Sequence, residues 1–213
     1  MFRAVNWSIL FVLALSFLTG TMKAADPVFV LLKTSKGDIK LELDRELAPI
    51  TVDNLVKYVN DGYYEGVIFH RIMSDFMIQT GGFVDKASAE KNESKKGLRA
   101  KIKNESTNGL SNAAYTIAMA RTSEPNSATS QFFINTKNNA QTLDQKFCQD
   151  GVGYCVFGKV IEGKDVVDAI KSVAVSSSAR GERSIPKEHI TIDKATVVEG
   201  KRVEAKKTEE EKK

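Results

Sequence analysis

The residue type with the most chemical potential in this chain is an arginine set among apolar side chains. Arg71 lies in the run Phe69-His70-Arg71-Ile72-Met73-Ser74-Asp75-Phe76-Met77-Ile78-Gln79-Thr80-Gly81-Gly82. Val67 to Phe69 are apolar and β-prone, and Ser74-Asp75 has turn chemistry. Phe76 to Gln79 reads as a second strand, closed by Gly81-Gly82. Residues two apart on a strand share a face, so Arg71 is expected beside Phe69, and Met77 beside Gln79. Guanidinium, large apolar side chains and an amide on one surface suit a groove that grips an apolar ring and polarises the amide next to it. The other reading of the same stretch is a structural arginine at a strand end.

Other chemistries find little support. The chain has two histidines and two cysteines, too few for the usual zinc constellations. It has no Gly-x-Ser-x-Gly and no phosphate-cradling glycine loop, and no nucleophile–base pair for a hydrolase can be identified. Net charge is +4, and two of the bases, Arg3 and Lys23, lie in the first 25 residues. The small excess that remains gives no reason to expect nucleic acid as a partner.

The stretch Phe69 to Ile72 with Phe76 to Gln79 and Gly81-Gly82 is followed by Met119-Ala120-Arg121 through Ser130-Gln131-Phe132-Phe133-Ile134, then by Tyr154 to Val160. Together the three resemble the cyclophilin family of peptidyl-prolyl isomerases. The resemblance spans roughly Val28 to Glu199 and is nearest to the bacterial periplasmic branch. It implies a mainly β fold, a closed eight-stranded antiparallel β-barrel capped by two helices. By position it implies that Arg71, Phe76 and Gln79 are catalytic. Met77, Ala120, Arg121, Gln131, Phe133, Thr142, Leu143 and Tyr154 would bind substrate. No metal and no cofactor are implied, and the partners are proline-containing polypeptides. Tyr154 stands where the well-known eukaryotic pattern has histidine, and Thr142 where it has tryptophan, so weak or no cyclosporin binding is expected. His70 is taken as structural, because twisting an amide needs no proton transfer. A proline-peptide binding module or chaperone with little catalysis is the alternative to the enzyme.

The elements that must position these residues can be read in outline. Met1 to Ala25 has the layout of a secretory leader, with Arg3, an apolar run from Trp7 to Leu18 and small residues Ala24 and Ala25. The run is too short for an ordinary membrane span, so a periplasmic protein without stable membrane association is expected, with an uncleaved membrane anchor as the other reading. Residues 26–200 form the isomerase domain, and 201–213 a charged tail that cannot bury enough surface to order itself. Val28 to Leu32 and Ile39 to Leu43 read as a hairpin, and Pro49 to Asn60 as a helix with Val52, Leu55, Val56 and Val59 on one face. Phe83 to Gly109 reads as a long surface loop. Tyr115 to Ala120, Gln131 to Asn135, Val156 to Ile161 and Ile190 to Val198 read as strands, and Lys164 to Val173 as a second helix. Alternation puts Phe132 and Phe133 on opposite faces, one core and one pocket. Cys148 and Cys155 could pair in an oxidising compartment or stand as two unpaired thiols, and the unpaired reading is favoured.

Overall fold

A computed structural model describes residues 26–178 and 181–201. The expected leader and nearly all of the expected tail lie outside the described residues. The chain forms β1 (Val28–Thr34), β2 (Gly37–Leu43), α1 (Pro49–Asn60), β3 (Val67–Ile68), β4 (Arg71–Met73), β5 (Met77–Thr80) and α2 (Lys86–Glu90). Then come β6 (Thr116–Met119), β7 (Phe132–Asn135), α3 (Ala140–Leu143), β8 (Val156–Glu162) and α4 (Lys164–Lys171). The last elements are β9 (Val175–Ser177), β10 (Arg183–Pro186) and β11 (Thr191–Val198).

One antiparallel sheet runs in the order β3-β11-β1-β2-β8-β6-β7-β5-β4. Its two ends, β3 and β4, are the halves of one run parted only at Phe69-His70. Phe69 N–H donates to Ile190 O at 2.9 Å, and His70 N–H to Gln79 O at 3.1 Å. The chain therefore changes partner from the β11 side to the β5 side within two residues, and the sheet closes on itself. Counted as one strand, β3 and β4 make this an eight-stranded barrel. Closure removes the exposed sheet edges that would otherwise invite pairing with another chain.

The barrel interior follows from alternation. Ile72, Ile78, Ile134 and Ile117 pair in register across β4, β5, β7 and β6. All four are buried in the main core. Both longer helices feed the same core, α1 through Val52, Leu55 and Val59, α4 through Val167 and Ile170. α1 packs on β11, whereas α4 packs on β2, β4 and β5. The helix limits agree with the sequence reading except that α4 stops at Lys171; Val173 still packs against the core.

Three features depart from the sequence reading. Phe69 is fully buried in the core while Arg71 faces outward, because the change of partner at Phe69-His70 breaks the two-residue phase. Phe76 belongs to the turn, its N–H donating to Met73 O at 3.0 Å, and the strand begins at Met77. The stretch before β11 is a second sheet, the hairpin β9–β10, which packs on β4. Its short strands and serine-rich sequence hid it.

The long loop from Phe83 is also more than surface covering. It holds α2, capped reciprocally by Asp85 and Ser88. It further supplies a cap to α1. Ala48 at the N-cap has no side chain for the task, and Glu105 takes it over. The Glu105 carboxylate accepts from Ile50 N–H at 3.1 Å, Thr51 N–H at 2.8 Å and Thr51 Oγ1–H at 2.7 Å. A carboxylate there satisfies orphan donors and sits at the positive end of the helix dipole.

Candidate active site

The outer face of the same strands carries the site. Arg71 on β4 is paired with Gln79 on β5, Gln79 with Phe133 on β7, and Phe133 with Ala118 on β6. Directly opposed residues share a face, so the four form one cross-strand row. Met73 and Met77, paired one step along, extend the patch. Met77, Ala118, Phe133, Leu143 and Val156 form a small apolar cluster separate from the barrel core. Met73, Phe76, Leu110, Ala120 and Tyr154 pack around it, partly exposed. Phe132, one residue from Phe133, lies in the core, as alternation requires. An apolar cluster thus adjoins the polar pair Arg71 and Gln79 on the outer face of the sheet.

Hydrogen bonds hold this cluster in place. The Asn139 side chain donates to Phe76 O at 2.6 Å and to Asn135 Oδ1 at 2.8 Å. Thr136 N–H also donates to Phe76 O, at 3.1 Å. The Phe76 turn is therefore tied to β7 and to the start of α3. Leu143, at the end of α3, accepts from Tyr154 N–H at 2.9 Å. Buried asparagines with this many partners fix side-chain positions that packing alone leaves loose.

The polar groups differ in how free they are. Gln79 Nε2 donates to Gln131 Oε1 at 2.9 Å, linking β5 to the start of β7. Gly82 makes room for this pair, since a Cβ there would come within 2.5 Å of the Gln131 amide nitrogen. Arg121 is almost fully committed inside the protein. Its Nε donates to Gly153 O and its Nη1 to Thr122 O, both at 3.0 Å, and Nη2 pairs with Asp150. Its guanidinium lies 4.4 Å from the Tyr154 ring centre, and Tyr154 meets Phe133 edge-on at 5.8 Å. Asp150 accepts Val152 N–H and pairs with Arg121, which holds its carboxyl well below the usual range. Arg121 thus braces the wall behind Phe133 through Tyr154 and has few donors left for a ligand. Thr142 is exposed on α3, beside Leu143.

Arg71 borders a cavity of about 630 Å³ that also reaches Gln79, Gln131 and Arg121. Its far wall is Phe83, α2 and the hairpin residues Glu182, Ser184, Ile185 and Pro186. His70 lies on this wall, its ring edge-on to Phe83 at 4.7 Å. Burial, with the Arg71 charge adding to it, lowers its pKa to about 4, so the imidazole is neutral near pH 7. Cys155 is buried, its Sγ 3.5 Å from Thr51 Oγ1, and burial pushes the thiol up to about 11. Cys148 and Cys155 are both free thiols. Among the described residues no group of three or more His, Cys, Asp or Glu could hold a metal ion.

Residues 29–197 match the family model described as cyclophilin type peptidyl-prolyl cis-trans isomerase. The chain belongs to the cyclophilin family. Its curated relatives include the peptidyl-prolyl cis-trans isomerase cyp18 of Streptomyces antibioticus, 50% identical over 78% of this chain and 96% of that protein. Isomerase A of Dickeya dadantii is 41% identical over 93% of this chain and 99% of that protein. Among solved structures, a Cryptosporidium parvum cyclophilin in the presence of the dipeptide Ala-Pro superposes with a TM-score of 0.65. It is 25% identical and covers 81% of this chain and 99% of that one. The chain is accordingly a cyclophilin-type prolyl isomerase. The fold brings Arg71, Phe76, Met77, Gln79, Ala120, Phe133, Leu143 and Tyr154 to one face, with Arg121 and Gln131 at its border. Sequence reasoning missed five neighbours of this cyclophilin site. Ala118 could have been found by stepping two back from Ala120, but Met73, Leu110, Val156 and Glu182 carry no local signal.

Proposed function

We propose that this cyclophilin holds a proline ring in the pocket of Phe76, Met77, Phe133 and Leu143 while Arg71 stabilises the twisted amide beside it. Resonance puts the barrier to rotation at about 18–20 kcal/mol, and X–Pro exchange is slow enough to limit folding. As the amide twists, its nitrogen becomes pyramidal and gains a lone pair. A guanidinium fixed beside the ring can donate to that lone pair, and it does nothing comparable for the planar ground state. Gln79 holds the carbonyl of the residue before proline, and Gln131, Ala120 and Arg121 line the path of preceding residues. The observation that carries this reading is the cross-strand row Arg71–Gln79–Phe133 beside an apolar cluster.

The biological setting is the periplasm. Residues 1–25 act as a cleaved leader, 26–200 as the isomerase, and 201–213 as a charged extension, and the mature protein assists folding of exported proteins. The leader layout supports this, as does the likeness to the Dickeya dadantii isomerase, which extends past the family-model match. The similar Cryptosporidium structure was obtained in the presence of Ala-Pro, in keeping with proline peptides as substrates here. Two measurements test the setting. N-terminal sequencing of protein from the native cell should find a start near Ala25 or Asp26. Catalytic amounts of the mature protein should accelerate a proline-limited refolding phase of an exported protein. An intact Met1 start in a soluble cytosolic fraction would overturn the localisation.

A further inference from the structure

The β9–β10 hairpin brings a carboxylate to the groove from far away in sequence. Glu182 Oε1 accepts from Arg71 Nε at 2.8 Å, and Oε2 from Arg71 Nη2 at 2.7 Å. Arg71 Nη2 also lies 3.2 Å from Met73 Sδ. This is a side-on, two-point grip, which fixes the plane of a guanidinium as well as its position. The donors of Nη1 are engaged by no described residue. The Gln79 amide, the other polar group of the row, is bonded to Gln131 rather than to Arg71.

The hairpin holds Glu182 firmly. Ser178 N–H donates to Glu182 O at 2.7 Å, and Lys187 N–H to Ala174 O at 2.9 Å. Ser184 and Pro186 are buried, and β10 packs on β4, the strand that carries Arg71. We propose that Glu182 is a positioning residue for the isomerase reaction: its carboxylate sets the plane of the Arg71 guanidinium so that Nη1 is the donor offered to the prolyl nitrogen. The inference rests on the reading of Arg71 as the donor to the twisted amide.

The pair is about one-third exposed on each side, 33% for Arg71 and 35% for Glu182, so it contributes little to stability. Its consequence is geometric. An unpinned arginine side chain samples several rotamers, and a small misplacement of a catalytic group is costly.

The test measures kcat, KM and melting temperature for the full chain and for Glu182→Ala, Glu182→Gln, Arg71→Ala and the Glu182→Ala/Arg71→Ala double variant. Glu182→Ala should lower kcat about tenfold, with KM within twofold and an unchanged melting temperature. Glu182→Gln keeps one acceptor oxygen and should fall between the two. In the Arg71→Ala background, Glu182→Ala should cost nothing further. If Arg71→Ala is nearly inactive while Glu182→Ala turns over as fast as the parent, or faster, Glu182 is a bystander or a competitor and the inference is overturned. An equal loss on Glu182→Ala in both backgrounds also overturns it. If Arg71→Ala itself keeps its turnover, it is the underlying reading of Arg71 that fails.

Discussion

Replacing Glu105 by alanine should loosen the start of α1 and lower stability without touching the groove. Among the described residues the three bonds that Glu105 accepts are the only side-chain cap at that end, since Ala48 offers none. Loss of a cap costs about 1 kcal/mol. Loss of a carboxylate at the positive end of the helix dipole adds up to about 1 kcal/mol. Thr51 is 1% exposed, and its hydroxyl keeps only a 3.5 Å contact with Cys155 Sγ, which adds a fraction of the roughly 1–3 kcal/mol of an unsatisfied buried group. Together these predict a loss of about 2–3 kcal/mol, a fall in melting temperature of roughly 5–10 °C for a domain of this size. Glu105→Gln keeps an acceptor and loses the charge, so it should fall about half as far. Thermal melts and urea titrations on the same samples, with isomerase activity measured at 25 °C, give the comparison. The m-value and activity should be unchanged. A melting temperature within about 1 °C of the parent for Glu105→Ala would show that the loop does not cap the helix.

Three further outcomes are expected. Stability should fall as pH drops from about 6.5 toward 4, because the unfolded His70 binds a proton in this window and the folded one does not. The loss is up to about 3 kcal/mol, and His70→Asn should flatten the profile in pH-dependent urea titrations. Cyclosporin should inhibit weakly, and Thr142→Trp should recover part of about two decades of affinity in a competition assay, by returning a flat apolar contact and a donor to the rim. Phe133→Ala should raise KM by opening the pocket wall, and should lower the melting temperature too, because the ring is 4% exposed and packed against Tyr154.

How far the site was legible depends on the range of the interaction that makes it. Gln79, Met77, Phe133 and the opposite-facing Phe132 follow from the period of two along a strand, which is local and survives in sequence. The same rule misplaced Phe69, because hydrogen bonds to Ile190 and Gln79, at distant points in the chain, reset the phase at His70. Helix α1 was legible to the residue from Pro49 and its apolar face, while its cap was not, since Glu105 is brought back from a loop that reads as surface. Glu182 is the extreme case: it lies 111 positions from Arg71, on a hairpin whose short strands, Val175 to Ser177 and Arg183 to Pro186, show no apolar alternation. The family resemblance supplied the barrel and pointed to Arg71, whereas no local pattern in the sequence points to Glu182.

The most direct measurement is the isomerase turnover of Arg71→Ala, taken together with its melting temperature. Removal of one preorganised donor to developing charge is worth about 2.7–4 kcal/mol, so kcat/KM should fall by two decades or more. The melting temperature should barely move, because the side chain sits at the groove and its ion pair is partly exposed. Arg71→Lys should recover little, since it keeps the charge and loses the planar fork. Near-normal turnover of Arg71→Ala, or activity lost only through unfolding, would contradict the catalytic role of this arginine and leave the groove as a site that binds proline peptides without Arg71 driving the twist.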